Sequence, residues 1–303
     1  MLGDSTVELE LPSSTDAQYG DPPTPVAVEF GAASHVGLVR KNNEDHYAVV
    51  RRSRTREMLL TNLPAPRPQP TVESAYVMTV ADGMGGEVFG ELASRLALTA
   101  AWEFAPRETA WLQNPGPLSL EQMREKAEAF STLMREAFQE RARRSPETSG
   151  MGTTLTIAYV AGTEAFIGHA GDSRAYLVRG SSISQLTKDH TLAEAYATAG
   201  YAREEVGRLK NILTNYLSEG QEMQLHVDQV SLQDGDHLLL CSDGLSDLVP
   251  APEIAAAISA AATPQAACDS LIALALERGG KDNVTAVIGR FRFPTTDGAE
   301  RHP

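Results

Sequence analysis

Ala75-Tyr76-Val77-Met78-Thr79-Val80-Ala81-Asp82-Gly83-Met84-Gly85-Gly86 carries the strongest structural signal in the chain. The run to Ala81 is almost wholly apolar and predicts a buried strand. It ends at an acid followed by glycines, where the backbone can turn sharply into a helix with Leu92, Leu96, Ala100 and Phe104 in one i+4 row. The same pattern recurs along the chain. Asp172 follows Ile167-Gly168-His169-Ala170-Gly171, and Asp243 follows Leu238-Leu239-Leu240-Cys241-Ser242. Asp282 precedes Val284-Thr285-Ala286-Val287-Ile288.

Val26 to Phe30 and Tyr47 to Arg51 are short and β-rich, and Pro64, Pro66, Pro68 and Pro70 mark a loop between strands. A helix is predicted from about Leu118 to Arg143, where Leu120, Met123, Ala127, Phe130, Met134 and Phe138 make a core-facing stripe. Thr154 to Val160, Glu164 to His169, Arg174 to Val178, His237 to Cys241 and Val284 to Phe291 read as strands, and 252–261 and 264–278 as Ala-rich helices. Helices grouped between hairpins, with few βαβ units, predict an α+β fold with antiparallel sheets.

The chain has 303 residues and a formal charge of −14. Residues 1–29 hold six acids and no Lys or Arg, and residues 1–25 read as a disordered acidic tail. Residues 293–303 read as a short C-terminal tail. The acidic balance disfavours nucleic-acid binding, which needs clustered cations. No apolar run reaches the roughly 20 residues of a membrane span, and the N-terminus has no secretory pattern. Cys241 and Cys268 suit a reducing compartment, so a soluble cytoplasmic protein is expected.

Four acids in separate segments, each beside Gly, Ser or Asn, are poorly explained as independent turns. Carboxylates and backbone carbonyls without a Cys or His cluster select hard cations such as Mg²⁺ or Mn²⁺. Two such ions about 3.5–4 Å apart would clamp an in-line displacement at phosphorus. Arg40-Lys41-Asn42-Asn43-Glu44-Asp45 adds both signs at close range, and Arg40 could take phosphate oxygens bidentately. From that segment alone, a surface ion-pair loop is the simpler reading.

Seven motifs in order carry a resemblance. They are Gly37-Leu38-Val39-Arg40 to Asn43-Glu44-Asp45; Ala81-Asp82-Gly83-Met84-Gly85-Gly86; Gly150-Met151-Gly152-Thr153-Thr154-Leu155; and Gly171-Asp172-Ser173-Arg174. Leu186-Thr187-Lys188-Asp189-His190, Cys241-Ser242-Asp243-Gly244-Leu245 and Asp282-Asn283-Val284-Thr285 complete them. Together they resemble the metal-dependent PP2C-type (PPM) protein phosphatases, bacterial branch, over residues 26–292.

The resemblance implies a four-layer αββα sandwich, two antiparallel β-sheets flanked by pairs of helices. It implies hydrolysis of phosphoserine and phosphothreonine in proteins through a metal-activated water at a dinuclear Mg²⁺ or Mn²⁺ centre. By position, Asp82 matches the bridging ligand, Gly83 a carbonyl ligand, and Asp243 and Asp282 ligands of the other ion. Glu44 matches a ligand acting through water, with Asp45 in its outer shell. Asp172 with Asp243 matches a third, weaker metal site of bacterial members, and Arg40 the phosphate-binding arginine. Residues 189–222 match a variable flap.

Met84 stands where eukaryotic members carry His, so a metal-bound water is the expected proton donor and His46 a substitute. His35 departs from a usual Asp and is read as structural, as are His169 and His190. Asn215 stands where relatives often carry Arg. A silent phosphoprotein-binding regulator and a small-molecule phosphatase are the alternatives, the first opposed by the retention of every ligand acid. The expected partners are phosphoprotein substrates and a cognate Ser/Thr kinase, and the expected state is a monomer.

Overall fold

The computed structural model describes residues 27–56, 60, 71–86, 89–107, 119–221 and 223–293. The acidic tail, the proline loop and the C-terminal tail beyond Phe293 lie outside these residues. One antiparallel sheet has the order β1 (Ala27–His35), β12 (Val284–Arg292), β11 (His237–Cys241), β7 (Arg174–Arg179) and β8 (Ser182–Gln185). The other runs β10 (His226–Ser231), β6 (Glu164–Ala170), β5 (Leu155–Ala161) and β3 (Thr71–Met84), with β2 (Asp45–Arg56) on the far side of β3. The short β4 (Gly152–Thr153) and β9 (Leu217–Ser218) continue from the end of β3.

Side-chain alternation builds the layers. Successive residues of a strand face opposite ways, so a strand covered on both sides reads as a continuous apolar run. Met78, Val80, Leu238, Leu240, Val287 and Phe291 point between the sheets and make the central core. The alternate residues Leu239, Cys241, Ala286 and Ile288 face the helices Ala251–Ala260 and Pro264–Glu277. On the opposite side, Ala81, Leu155 and Ala170 pack under the helices Phe89–Arg107 and Leu120–Arg144. The result is the expected four-layer αββα arrangement.

Several boundaries differ from expectation for identifiable reasons. The strand read as ending at Ala81 continues to Met84, because Gly83 and Met84 pair with Thr153 and Gly152 of β4. The helix read from Leu118 begins at Leu120, fixed by a capping box in which Ser119 and Gln122 satisfy each other's backbone N–H groups. The polar edge strand β10 has the burial pattern of a partly solvated strand and was not anticipated. Cys241 and Cys268 are buried free thiols, both pushed up to about 12 chiefly by burial, so neither is a reactive group.

Between β8 and β10 the chain forms an irregular segment with two short helices, Leu192–Thr198 and Arg203–Val206. Three histidines fasten it to the sheet. His169 on β6 lies opposite His226 on β10, and His190 stacks on His169 and meets His226 edge-on. His190 Nδ1 accepts the Gly171 N–H and lies 3.2 Å from Asn215 Nδ2. The His190 proton therefore sits on Nε2, 3.0 Å from His226 Nδ1. The structural reading of His169 and His190 agrees with this packing.

Two stability predictions follow from the layers. Leu240→Ala, at a fully buried inter-sheet position, should cost about 2–5 kcal/mol in urea unfolding. Burial, then neighbouring histidines, lowers His169 to about 3 and His190 to about 4. Between about 6.5 and these values the unfolded chain binds protons that the folded chain does not. Stability contributed here should fall as pH drops from about 6.5 toward 4, and His190→Asn should show a shallower fall in its urea midpoint than wild type.

Candidate metal centre

The strand register brings the acids together. Asp45 opens β2 directly opposite Asp82 on β3. Asp45 faces the other sheet and is only 5% exposed, and its Oδ2 accepts the Ser242 hydroxyl at 2.6 Å. Ser242 Oγ in turn accepts the Thr285 N–H at 3.0 Å. One hydroxyl thus ties β2 and β12 to the residue preceding Asp243. Asp243 starts the helical turn Asp243–Ser246, which lies so close to β12 that a Cβ on Gly244 would collide with the Asn283 carbonyl.

Asn283 fixes the segment carrying Arg40 and Glu44. Its Nδ2 donates to the carbonyls of Val36 and Asn42, both at 2.9 Å, and its Oδ1 accepts the Glu44 N–H at 2.7 Å. Arg40 Nη2 consequently reaches Asp282 Oδ2 at 2.7 Å. Arg40 and Asp282 are both partly exposed, so this contact is a modest ion pair that can be exchanged. Glu44 lies against the start of the Phe89–Arg107 helix, where a side chain at Gly90 would strike its carboxylate.

The backbone of Asp82 is held by the next motif. Its N–H donates to Thr154 Oγ1 at 3.0 Å, and its carbonyl accepts the Thr154 N–H and the Thr153 hydroxyl at 2.9 and 2.8 Å. Thr154 Oγ1 also meets Ser173 Oγ at 2.8 Å, beside Asp172. Gly83 hydrogen-bonds from its N–H to the Glu44 carbonyl at 3.2 Å. A Cβ on Gly83 would overlap the Gly90 carbonyl, so only glycine lets the strand and helix backbones meet.

Electrostatics show what this convergence demands. Burial pushes Asp82 well above the usual carboxylate range, with Asp45, Asp243, Asp172 and Asp282 adding repulsion. Burial, then Asp172 and Asp282, does the same to Asp243. Asp172 is raised to about 7 by burial and Asp189, and Asp45 to about 6 by burial against the opposing Ser242 hydrogen bond. Such groups cannot all ionise without a compensating cation. Asp45 Oδ1 and Asp243 Oδ1 are buried with no hydrogen-bond partner among the described residues.

All-oxygen donors of this kind fit Mg²⁺ or Mn²⁺. Among the described residues no three His, Cys, Asp or Glu groups enclose one ion by themselves. Hard cations that retain several waters, with one or two carboxylates each, suit that arrangement better than a closed cage.

All the anticipated residues meet here: Asp82, Gly83, Asp243, Asp282, Glu44, Asp45, Asp172 and Arg40. His46 does not. It lies on the helix-facing side of β2, with Nδ1 2.9 Å from Ser94 Oγ, while Asp45 faces the other sheet. His35 is confined to its turn, where Nδ1 accepts the Gly37 N–H. The organising residues Asn283, Ser242, Thr153 and Thr154 lie inside the sequence motifs, where nothing local marks their role. Their importance comes from contacts distant in sequence.

Two outcomes test this geometry. Mn²⁺ should raise the melting temperature, with stabilisation of about 2.7 kcal/mol at a hundred times its Kd, and an unchanged transition would contradict the centre. Asn283→Ala, which removes three loop contacts, should cost about 2–4 kcal/mol in denaturant unfolding and weaken the Mn²⁺ effect.

A family model described as protein phosphatase 2C matches residues 69–275. The serine/threonine phosphatase stp of Listeria monocytogenes is 33% identical over 222 residues, covering 70% of this chain and 83% of that protein. The serine/threonine protein phosphatase PstP of Mycobacterium tuberculosis is 33% identical over 267 residues, covering 87% of this chain. The chain spans only 45% of the length of that protein. The solved catalytic domain of PstP in complex with two manganese ions superposes with a TM-score of 0.67 at 29% identity, covering 88% of this chain and 100% of that one.

Proposed function

The chain belongs to the protein phosphatase 2C family, and from that premise we propose that it hydrolyses phosphoserine and phosphothreonine esters in proteins with Mg²⁺ or Mn²⁺. The observation that carries this reading is the convergence of carboxylates from both sheets, with two buried oxygens that have no partner among the described residues. The manganese in the PstP catalytic domain supports the choice of ions.

In this proposal Asp82, the Gly83 carbonyl, Asp243 and Asp282 would hold the ions. Glu44 acts through water, with Asp45 behind it, and Asp172 with Asp243 offers a weaker third position. Divalent ions held there supply an acidified water nucleophile and neutralise charge on the phosphoryl group. Arg40 exchanges its contact with Asp282 for two phosphate oxygens, which its planar fork matches. Ser242 and Asn283 keep the acids and Arg40 in register during that exchange.

The leaving oxygen needs a proton. Met84 has none to give, and His46 faces away; water in the cleft therefore supplies it.

The phosphatase domain is taken as residues 26–292, with 189–222 as the flap, acting as a monomer. Its substrates are phosphoproteins made by a Ser/Thr kinase, which this chain would oppose. Among the described residues no helix is long and apolar enough to cross a membrane; a cytoplasmic setting is part of the proposal.

The test is release of phosphate from a phosphothreonine peptide with Mn²⁺, with EDTA, and by Asp282→Asn. Metal-dependent release should vanish with EDTA and drop at least about 100-fold in the variant. No release from phosphopeptides by Mn²⁺-loaded protein would instead support the silent regulator or a small-molecule substrate.

A further inference from the structure

We propose that the groove between β2 and the Phe89–Arg107 helix binds this chain's own segment Val7-Glu8-Leu9-Glu10-Leu11. The groove has a volume of about 290 Å³ and includes Ala48, Val50, Leu98 and Trp102, with Arg51 and Arg52 at its rim. Trp102 is 65% exposed. No acid lines this groove among the described residues. Among the described residues β2 pairs only with β3, and its outer backbone groups can receive another extended segment.

The sequence of the segment suits that edge. Its alternation places Val7, Leu9 and Leu11 on one side of an extended chain and Glu8 and Glu10 on the other. On β2 the even-numbered Ala48 and Val50 face the helix and Trp102, whereas Arg51 belongs to the opposite face. An added strand would lay its leucines against Trp102 and Leu98 and its glutamates beside Arg51. Cross-strand pairs of opposite charge favour such a register.

The start of β1 lies near β2 on its inter-sheet side, where Phe30 packs on Tyr76, the cross-strand partner of Arg51, so the segment before it would pass around the β2 edge to reach the groove. The stretch from Leu11 to Ala27 can reach up to roughly 50 Å when extended. With six acids and no cation in residues 1–29, the N-terminal stretch matches the sign of the groove's rim.

The test uses the full chain with Trp111→Phe, which leaves Trp102 as the lone tryptophan reporter. Leu9→Asp/Leu11→Asp should shift its emission to the red and increase acrylamide quenching, with an unchanged far-ultraviolet circular dichroism spectrum showing an intact fold. Glu8→Arg/Glu10→Arg should do the same, and adding Arg51→Glu should restore protection. Identical emission and quenching with either tail would overturn the proposal. Protection that grows with protein concentration would also overturn it, assigning the groove to a second copy's tail.

Discussion

Repulsion among buried carboxylates is the constraint around which this structure is organised. Asp45 and Asp82 face each other across one sheet, while Asp243 and Asp282 come from turns joined to the other. Hydrophobic burial alone would drive these groups apart or keep them protonated. They are held together by polar ties that cross between sheets, chiefly Ser242 to Asp45 and Asn283 to the loop before β2. Divalent cations held among these acids would offset the repulsion that the assembly concentrates.

The remainder of the fold keeps the cleft in place. The inter-sheet core fixes the relative position of the two sheets, and the outer helices cover their other faces. Close backbone contacts at Gly83 and Gly244 set the turns carrying Asp82 and Asp243. The histidine cluster anchors the irregular segment beside Gly171, the residue before Asp172. Strands and the turns at their ends therefore position the acids, beside an irregular segment that the histidines hold to the sheet.

Much of this was legible in the sequence. Strand runs such as Leu238 to Cys241 are apolar because both faces are buried, and an acid after such a run is a strong local signal. The family resemblance converted those local signals into an ordered set of site residues. What could not be read were pairings over long sequence separations. Asn283 looks like an ordinary turn residue until its bonds to Val36, Asn42 and Glu44 are seen. His46 sits beside Asp45 in sequence but across the strand in space, which period-two geometry would have shown once the strand's start was known. β10 was missed because an edge strand with polar residues lacks the buried strand's continuous signal.

Calorimetric titration of the full chain with Mn²⁺, repeated with Asp82→Asn, tests the shared centre. Wild type should bind at least two ions, and the tight pair should be lost in a variant that still unfolds cooperatively. Binding of a single ion, or identical titrations of the two proteins, would contradict the shared centre at Asp82.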